Sequence, residues 1–347
     1  MNMLQESSTQ ISFNKNSKGY NATVIALLIV LLLIGVFLSI SIGSTRISLS
    51  EIISAMQQGD ITSKTYRIIS YVRIPRTLAA LLAGCALSVS GAILQSVLNN
   101  SLASPGIIGV NAGAGLLAVL IAAFFPAFLN YTTIAAFTGA LMAVLLVYFI
   151  ARRTGASRMA IVLSGVAVSS FIGAMTDTVL TLKPDAAIER TAFLIGGFSG
   201  ITMGRLSFAG CLIVLAFFIA LILGYDMNIL TLGDQSAKSL GLNVARVRFV
   251  FLILAAMLAG SAISIAGLLG FVGLIVPHVS RIVVGYDNRI LIPVSGLLGS
   301  IFTLLCDLLA RVLFAPFEIP VGIIMSFLGG PFFIYLLIKG RRGLLYD

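Results

Sequence analysis

The feature that most constrains this chain is a series of long apolar runs separated by short polar segments. A helix needs about 20 mostly apolar residues to cross a bilayer, and ten runs are candidates. They lie at residues 22–42, 76–97, 107–127, 132–151, 159–182, 206–224, 249–269, 271–284, 290–310 and 319–338. The eighth run is short and directly follows the seventh, so one long helix is the alternative there. We predict an all-α, polytopic membrane protein of about ten spans.

Composition supports a membrane protein over a soluble one. The 347 residues are 59% apolar and only 10% charged, whereas soluble domains carry about 25% charged residues. The net charge of +10 sits in short clusters between apolar runs, which indicates topology and anionic lipid rather than nucleic acid. The three cysteines lack metal-ligand spacing, so we expect small buried residues at Cys85, Cys211 and Cys306.

The polar segments divide the chain into three parts. Residues 1–21 form a polar N-terminal tail, residues 22–338 the membrane domain, and residues 339–347 a basic C-terminal tail. The first run is longer than a cleavable signal's apolar region of about 7–15 residues, so it is expected to remain as a span. An even number of spans with both termini cytoplasmic leaves thirteen Lys and Arg residues inside and nine outside. This bias is modest but favours that orientation in the plasma membrane.

An internal repeat links two of the spans. AALLAGCALSVSGAIL at residues 79–94 and AAMLAGSAISIAGLLG at residues 255–270 share eight of sixteen residues. Convergence of small-residue packing helices is the alternative. The two spans lie five apart, so they cross in opposite directions. An inverted repeat of this kind is typical of transporters.

Motifs for enzymatic chemistry are missing from the sequence. It contains no G-x-x-x-x-G-K-[ST], H-E-x-x-H or G-x-S-x-G pattern, and its single histidine is His278. The P-loop pattern is what would cradle nucleotide phosphates. We therefore expect no enzyme, no metal and no cofactor in this chain itself.

Four stretches resemble one family of membrane proteins. They are RIPRTLAALLAG at 73–84 with SGAILQ at 90–95, NSLASPGIIGVNAG at 100–113, GLLGFVGLIVPHVSR at 267–281 and EIPVGIIMSFLGGPFFIY at 318–335. Together they resemble the FecCD-type permeases of ABC importers for iron-siderophores, haem and vitamin B12. The resemblance covers the chain beyond about residue 45.

The resemblance implies a type II ABC importer permease of ten helices. It implies a second permease subunit, identical or paralogous, and two ATPase subunits that bind ATP and Mg²⁺ at the cytoplasmic face. An extracytoplasmic binding protein would deliver the ligand, and ATP-driven alternating access would move it inward. Ferric siderophore is the expected cargo, with haem and vitamin B12 as alternatives.

Arg73, Arg76 and Arg311 lie in outer segments, and the resemblance implies that they dock the binding protein. Pro75 suits the first turn of a helix that would carry Arg73 and Arg76 on one face. Pairing of Arg311 with Asp307 one turn earlier is the alternative, as is interfacial snorkelling of the other two. Glutamate at Arg73 and Arg76 is expected to abolish uptake and leave folding intact.

The loop 225–248 contains a short predicted helix, GDQSAKSLG, at residues 233–241. Asp234, directly after Gly233, is the expected N-cap of this helix. Gly241 is the expected C-terminal stop before the next span. Ala237 and Leu240 are expected to share an apolar face. The resemblance implies that this helix couples to the ATPase; an ordinary capped loop helix is the alternative.

Polar groups inside spans are costly, so they are candidates for function. Gln95 is expected to bond a neighbouring helix or line the pathway, and Asp177 is left open between these roles. His278 follows Pro277, so we expect a structural hydrogen bond there, and an iron-binding or proton-relay role in the pathway is the alternative. The glycines of the motifs are expected to permit close packing; these are Gly84, Gly91, Gly109, Gly113, Gly267, Gly270 and Gly273.

Two other classes of function stay open at this point. The repeat alone also permits a secondary transporter driven by an ion gradient, for which Asp177 and Asp307 are the available acids. A structural or scaffolding membrane subunit would show no transport at all.

Overall fold

The computed structural model describes residues 18–43, 51, 54, 62–155 and 157–340. These residues are almost entirely helical, and no strand occurs among them. Most of the predicted tails, residues 1–17 and 341–347, lies outside the described residues.

The helices are numbered α1 to α13 in chain order. They are α1 Lys18–Ser41, α2 Lys64–Leu98, α3 Val110–Phe124, α4 Thr132–Arg153, α5 Arg158–Leu182, α6 Ala187–Ile195, α7 Met203–Ile222, α8 Gly224–Thr231, α9 Asp234–Ser239, α10 Val244–Ala266, α11 Val272–Val284, α12 Asn288–Val312 and α13 Val321–Gly340. Short 3₁₀ turns at Pro105–Ile108, Pro126–Tyr131 and Pro184–Ala186 connect some of them.

Ten of these helices correspond to the ten predicted spans. Within the described residues, seven helices are long and apolar enough to cross a membrane, and shorter apolar helices occur at Val110–Phe124, Val272–Val284 and Val321–Tyr335. The all-helical, ten-span prediction is therefore confirmed. The separation of the seventh and eighth spans is also correct, because residues 267–271 are not helical between α10 and α11. The short helices α6 and α8 were not predicted.

Helix α2 begins earlier than predicted. It runs for 35 residues from Lys64, and a π-helical turn at Ile69–Arg73 lies within it. Pro75 is the second residue of the α-helical segment Ile74–Leu98 that follows this wide turn, so its predicted place in the first turn of an α-helical segment is confirmed. Proline has no N–H to donate to the preceding turn, and a π turn is one way in which a helix accommodates such a break.

The two repeat helices form the centre of the bundle. Helices α2 and α10 bury 78% and 72% of their most apolar windows, whereas the N-terminal helix α1 buries 17%. Ser90 of α2 donates its hydroxyl to the carbonyl of Ala255 in α10 at 2.8 Å. Small residues let these backbones approach closely.

Several motif glycines are required by such approaches. A Cβ at Gly84 would collide with the backbone of Gly299 in α12, and one at Gly91 with the backbone of Gly273. Gly113 meets Gly139 of α4 in the same way. The predicted packing role holds for these residues, but a Cβ at Gly270 would meet only open space.

The break between α10 and α11 lies against the middle of α2, not at a bundle end. Gly273 near the start of α11 packs against the Leu87 carbonyl and Gly91. The break opens at Gly267 with φ +68° and closes at Phe271 with φ +66°, a left-handed conformation that is uncommon outside glycine.

The cysteines differ from the prediction of three buried residues. Cys306 is buried, Cys85 is partly buried, and Cys211 is exposed on α7. The prediction failed for Cys211 because an apolar neighbourhood in the sequence of a membrane helix does not distinguish an interior face from an outer one.

Candidate functional sites

Two polar sites lie at opposite ends of the bundle. Helix α12 runs from one to the other, with its N-terminus near α8 and its C-terminus near the end of α1. Helices α1 and α12 both end at one end of the bundle, which we call the arginine end. The opposite end carries α8 and α9, and we call it the loop end.

The site at the arginine end is a cluster of charged side chains, which we call the arginine cluster. It contains two carboxylates and three guanidiniums from α2, α12 and the segment after α12; its members are Arg73, Arg76, Asp307, Arg311 and Glu318. Arg73 and Arg311 are each 3% exposed and Arg76 is 6% exposed, and Asp307 is fully buried. A charge at this depth must be paired to be tolerated.

Arg76 is the centre of this cluster. Its Nη2 lies 3.0 Å from Asp307 Oδ1, and its Nε donates to the same carboxylate at 3.0 Å and 3.2 Å. Its Nη1 donates to Glu318 Oε2 at 2.6 Å. The Glu318 side chain is 31% exposed, so one partner of Arg76 is interior and the other reaches the surface.

Arg311 and Arg73 join the cluster to the end of α1. Arg311 pairs with Asp307 at 3.1 Å, four residues earlier on α12, and donates to the carbonyl and hydroxyl of Ser39. Arg73 donates to the carbonyls of Ile40 and Ser41 at 2.7 Å and 2.8 Å. These bonds satisfy helix-end carbonyls that have no partner within α1.

The three arginines predicted to dock a binding protein are therefore brought together, but they face inward. The alternative weighed for Arg311, a pair with Asp307 one turn earlier, is what the structure contains. Snorkelling does not describe Arg73 and Arg76, because their guanidiniums bond within the protein. Docking by this trio stays a prediction.

The second site is the loop end, where α8 and α9 connect α7 to α10. The predicted helix at 233–241 is present as α9, Asp234–Ser239. Gly241 has φ +85° and its N–H bonds to the Lys238 carbonyl, while Leu242 bonds to Ala237. The prediction of a glycine stop is thus correct.

Two predicted details of α9 are wrong. The N-cap is Gly233, with φ +101°, and the Asp234 side chain makes no capping bond. Ala237 is fully buried while Leu240 is 62% exposed, so they do not share a face. The apolar face fails because Leu240 ends the helix as its C-cap residue and turns away from the bundle.

Asp234 instead forms ion pairs. Its Oδ1 accepts from Arg248 Nη2 of α10 at 2.7 Å and lies 3.4 Å from Arg158 Nη2 of α5. Partial burial opposes ionisation, but the hydrogen bond and charge of Arg248, with the charges of Arg158 and Lys238, outweigh it. They hold the pKa of the Asp234 carboxyl below its ordinary value.

The three remaining candidates have different surroundings. Gln95 bonds α2 to α11, donating to the Gly273 carbonyl at 3.1 Å and accepting from Arg281. Asp177 pairs with Arg190 of α6 at 2.7 Å, with its side chain 66% exposed. His278 was expected to make a structural hydrogen bond, but its side chain makes none with the described part of the chain. Pro277 lies within α11, which continues as a helix through it.

Sequence reasoning missed the partners more than the sites. Glu318 is not near Arg76 in the sequence, and Arg158 begins α5, which is far from Asp234 in the sequence. Only Asp307 had a local signal, its four-residue spacing from Arg311. Pairs between helices have no fixed spacing, so a single sequence does not reveal them.

A bundle of apolar helices of membrane-spanning length, whose two central members carry an internal sequence repeat, is the architecture typical of membrane transport proteins. Comparison with known proteins gives the class. A model of the FecCD transport family matches residues 31–339, and the chain belongs to this family of ABC importer permeases.

Relatives and a solved structure agree with this assignment. The chain is 38% identical over 336 residues to the iron(3+)-hydroxamate import system permease protein FhuB of Bacillus subtilis, covering 94% of this chain and 86% of that one. It is 36% identical to the Fe(3+)-citrate import system permease protein YfmD of the same organism, covering 92% and 95%. The hemin transport system permease protein HmuU of Yersinia pestis is 35% identical, covering 78% and 83%. A putative metal-chelate type ABC transporter solved in an inward-facing conformation matches with a TM-score of 0.80 at 29% identity, covering 92% and 99%.

Proposed function

We propose that this chain is the translocation subunit of an ABC importer for a ferric siderophore. The observation that carries the substrate is the 38% identity, over 94% of the chain, to the permease of an iron(3+)-hydroxamate import system. Permeases named for ferric citrate and hemin are nearly as similar. Haem is therefore an alternative cargo of the same machinery, and vitamin B12 is a further alternative that rests on the resemblance of the motifs alone.

The proposal includes partners that supply what this chain lacks. Two ATPase subunits would bind ATP and Mg²⁺, because the sequence contains no P-loop. A second permease subunit, identical or paralogous, would complete the pathway. The loop end would face the cytoplasm with both termini, which agrees with the excess of basic residues on that side.

The state of the acidic residues argues against ion-driven transport. An ion-coupled carrier needs acids or unwound backbone near the midplane to bind its ion. Asp307 is buried between Arg76 and Arg311 at the arginine end, and Asp177 pairs with Arg190 in an exposed position. Both acids that were available for ion binding already have a cationic partner.

The binding protein would dock on the arginine end. In this conformation Asp307 and the end of α1 hold the three guanidiniums, so direct pairing with a partner requires them to exchange partners. Glu318 is the accessible acid of the cluster. A carboxylate of the binding protein would replace it at Arg76, and rim charges of this kind act mainly on encounter and register.

Uptake into proteoliposomes tests the proposal. The complete complex of permease, ATPase and binding protein is reconstituted, and radioiron-labelled ferric hydroxamate, ferric citrate and labelled haem are supplied in turn. We expect uptake of the ferric hydroxamate that requires both ATP and the binding protein. Uptake driven by an ion gradient without ATPase would contradict the ABC mechanism, whereas uptake of haem alone would overturn only the substrate.

A further inference from the structure

The short helix α9 has a polar attachment to the bundle beside its one buried apolar residue. Ala237 is fully buried, whereas Gln235, Ser236, Lys238 and Ser239 are exposed. The attachment is the carboxylate of Asp234 in the first turn. The exposed face of α9 is thus available to a partner while the opposite side is tied to the protein.

Asp234 contacts two different helices of the membrane domain. Arg248 lies in the second turn of α10 and is 3% exposed, and its Nη2 donates to Asp234 Oδ1 at 2.7 Å. Arg158 is the first residue of α5, and its Nη2 lies 3.4 Å from the same oxygen. Arg158 also donates to the Leu230 carbonyl near the end of α8 at 3.5 Å. One carboxylate therefore joins α9, α10 and α5.

Helix α10 is well placed to pass on a displacement. It packs against α2 through the bond between Ser90 and Ala255, and against α4 where Gly260 meets Ala140 and Phe137. Close-packed interiors transmit strain instead of absorbing it. A movement of Arg248 would thus be carried into the central helices.

We infer that Asp234 is the positioning residue that transmits movement of α9 to α10 and α5 through its pairs with Arg248 and Arg158. The inference rests on the proposed function, in which an ATPase subunit moves α9. Charge-assisted hydrogen bonds are about twice as strong as neutral ones, and partly buried pairs are screened less by salt than exposed ones. Such links pull on the helices, which the single buried methyl group of Ala237 cannot do.

The test measures how many ligand molecules are taken up per ATP hydrolysed in the reconstituted importer. Asp234→Asn keeps the size of the side chain and removes its charge. We expect the ATPase subunit to co-elute in normal amount and ATP to be hydrolysed, while uptake per ATP falls roughly fivefold or more, the low end of typical coupling between sites. Asp234→Glu, which keeps the charge, should restore much of the ratio.

The matched control is Asp226→Asn. Asp226 lies in α8 of the same loop, and none of the ion pairs among the described residues includes it. This variant should keep the wild-type ratio, because it removes the same charge without touching α9. If folded Asp234→Asn also keeps that ratio, or if it is folded but no longer co-elutes with the ATPase, the inference is overturned.

A second variant guards against misfolding of the first. Asp234→Asn leaves the buried Arg248 without this carboxylate, so the variant can fail to fold. The Arg158 side chain is 27% exposed. Arg158→Gln removes its pair with Asp234 and its bond to the Leu230 carbonyl of α8, and it leaves the pair between Asp234 and Arg248 in place. We expect a smaller loss of uptake per ATP in the same direction, and an unchanged ratio in a folded Arg158→Gln complex would also overturn the inference.

The outcome is separable from that of the proposed function. If the wild-type chain neither co-elutes with an ATPase nor supports ATP-dependent uptake, the proposed function fails. If wild type transports and the Asp234 and Arg158 variants transport equally well per ATP, only the role of Asp234 fails.

Discussion

Arg76 and Asp307 form a buried ion pair that joins α2 to α12, with Nη2 and Oδ1 separated by 3.0 Å. Asp307 also forms an ion pair with Arg311, whose Nε lies 3.1 Å from Asp307 Oδ2. One interior carboxylate thus holds two guanidiniums, and this changes the expected effect of substitutions at the arginine end.

Arg76→Glu should lower the stability of the folded protein, so any loss of uptake would come from misfolding before it came from failed docking. It places a third carboxylate beside Asp307 and Glu318, and breaking a buried pair costs about 3–5 kcal/mol. The measurement is thermal unfolding of the purified protein in detergent. This replaces the expectation that glutamate at Arg73 and Arg76 leaves folding intact.

Glu318→Gln is the matched control for that prediction. Its side chain is 31% exposed, so solvent screens the pair, and the loss should be about 1 kcal/mol or less. If the Arg76→Glu variant melts at the same temperature as the Glu318→Gln variant, the arginine cluster does not stabilise the arginine end.

Asp177→Asn should leave both stability and uptake nearly unchanged. The side chain is 66% exposed and its only ion pair in the described chain is with Arg190, and exposed pairs contribute about 0.2–1 kcal/mol. Uptake by proteoliposomes is the readout. Loss of uptake with normal folding would support an ion-binding role for Asp177 and so a secondary transporter.

Gly84→Val should weaken packing between α2 and α12. A Cβ at Gly84 meets the backbone of Gly299, which cannot rotate away as a side chain could, and overpacking costs typically about 1–3 kcal/mol. Thermal unfolding measures the loss. Gly173→Val is the control, since a Cβ at Gly173 in α5 meets nothing within 4 Å; equal melting of the two variants would refute the argument.

Gln95→Leu should destabilise the protein by about 1–3 kcal/mol, because it removes the acceptor that Arg281 uses. Arg281 donates to the Gln95 side-chain carbonyl between α11 and α2. Gln95→Glu keeps an acceptor for Arg281 but loses the donor to the Gly273 carbonyl, so it should restore only part of the stability in the same unfolding assay. If the leucine variant is as stable as wild type, the bond between the two helices is dispensable.

The spans and the family could be predicted from the sequence because both depend on local patterns. Apolar runs of sufficient length must span a bilayer or aggregate. The motif at 73–84 is recognised from the order and spacing of its own residues, so it needs no knowledge of tertiary contacts. Helix starts were predicted less well. Polar residues such as Lys64 and Arg67 lie in the first turns of α2, where an apolar run gives no signal.

The roles of individual polar residues were harder to predict. Asp234 has a residue type and position that suit an N-cap, yet Arg248 fourteen residues later competes for its carboxylate. The sequence does not predict which side of α9 is exposed, because a helix of six residues is too short for its apolar residues to define a face. Tertiary partners decided both outcomes.

The π turn at Ile69–Arg73 has a consequence for comparing this chain with other sequences. A π turn accommodates one residue more than an α-helical turn, which rotates all residues before it by about 100° relative to those after it. Deleting one residue there would convert the turn to a regular one and leave Arg73 and Arg76 in phase with the rest of α2. A one-residue gap in an alignment is therefore best placed between Ile69 and Arg73, where it changes only the direction in which residues 64–68 face.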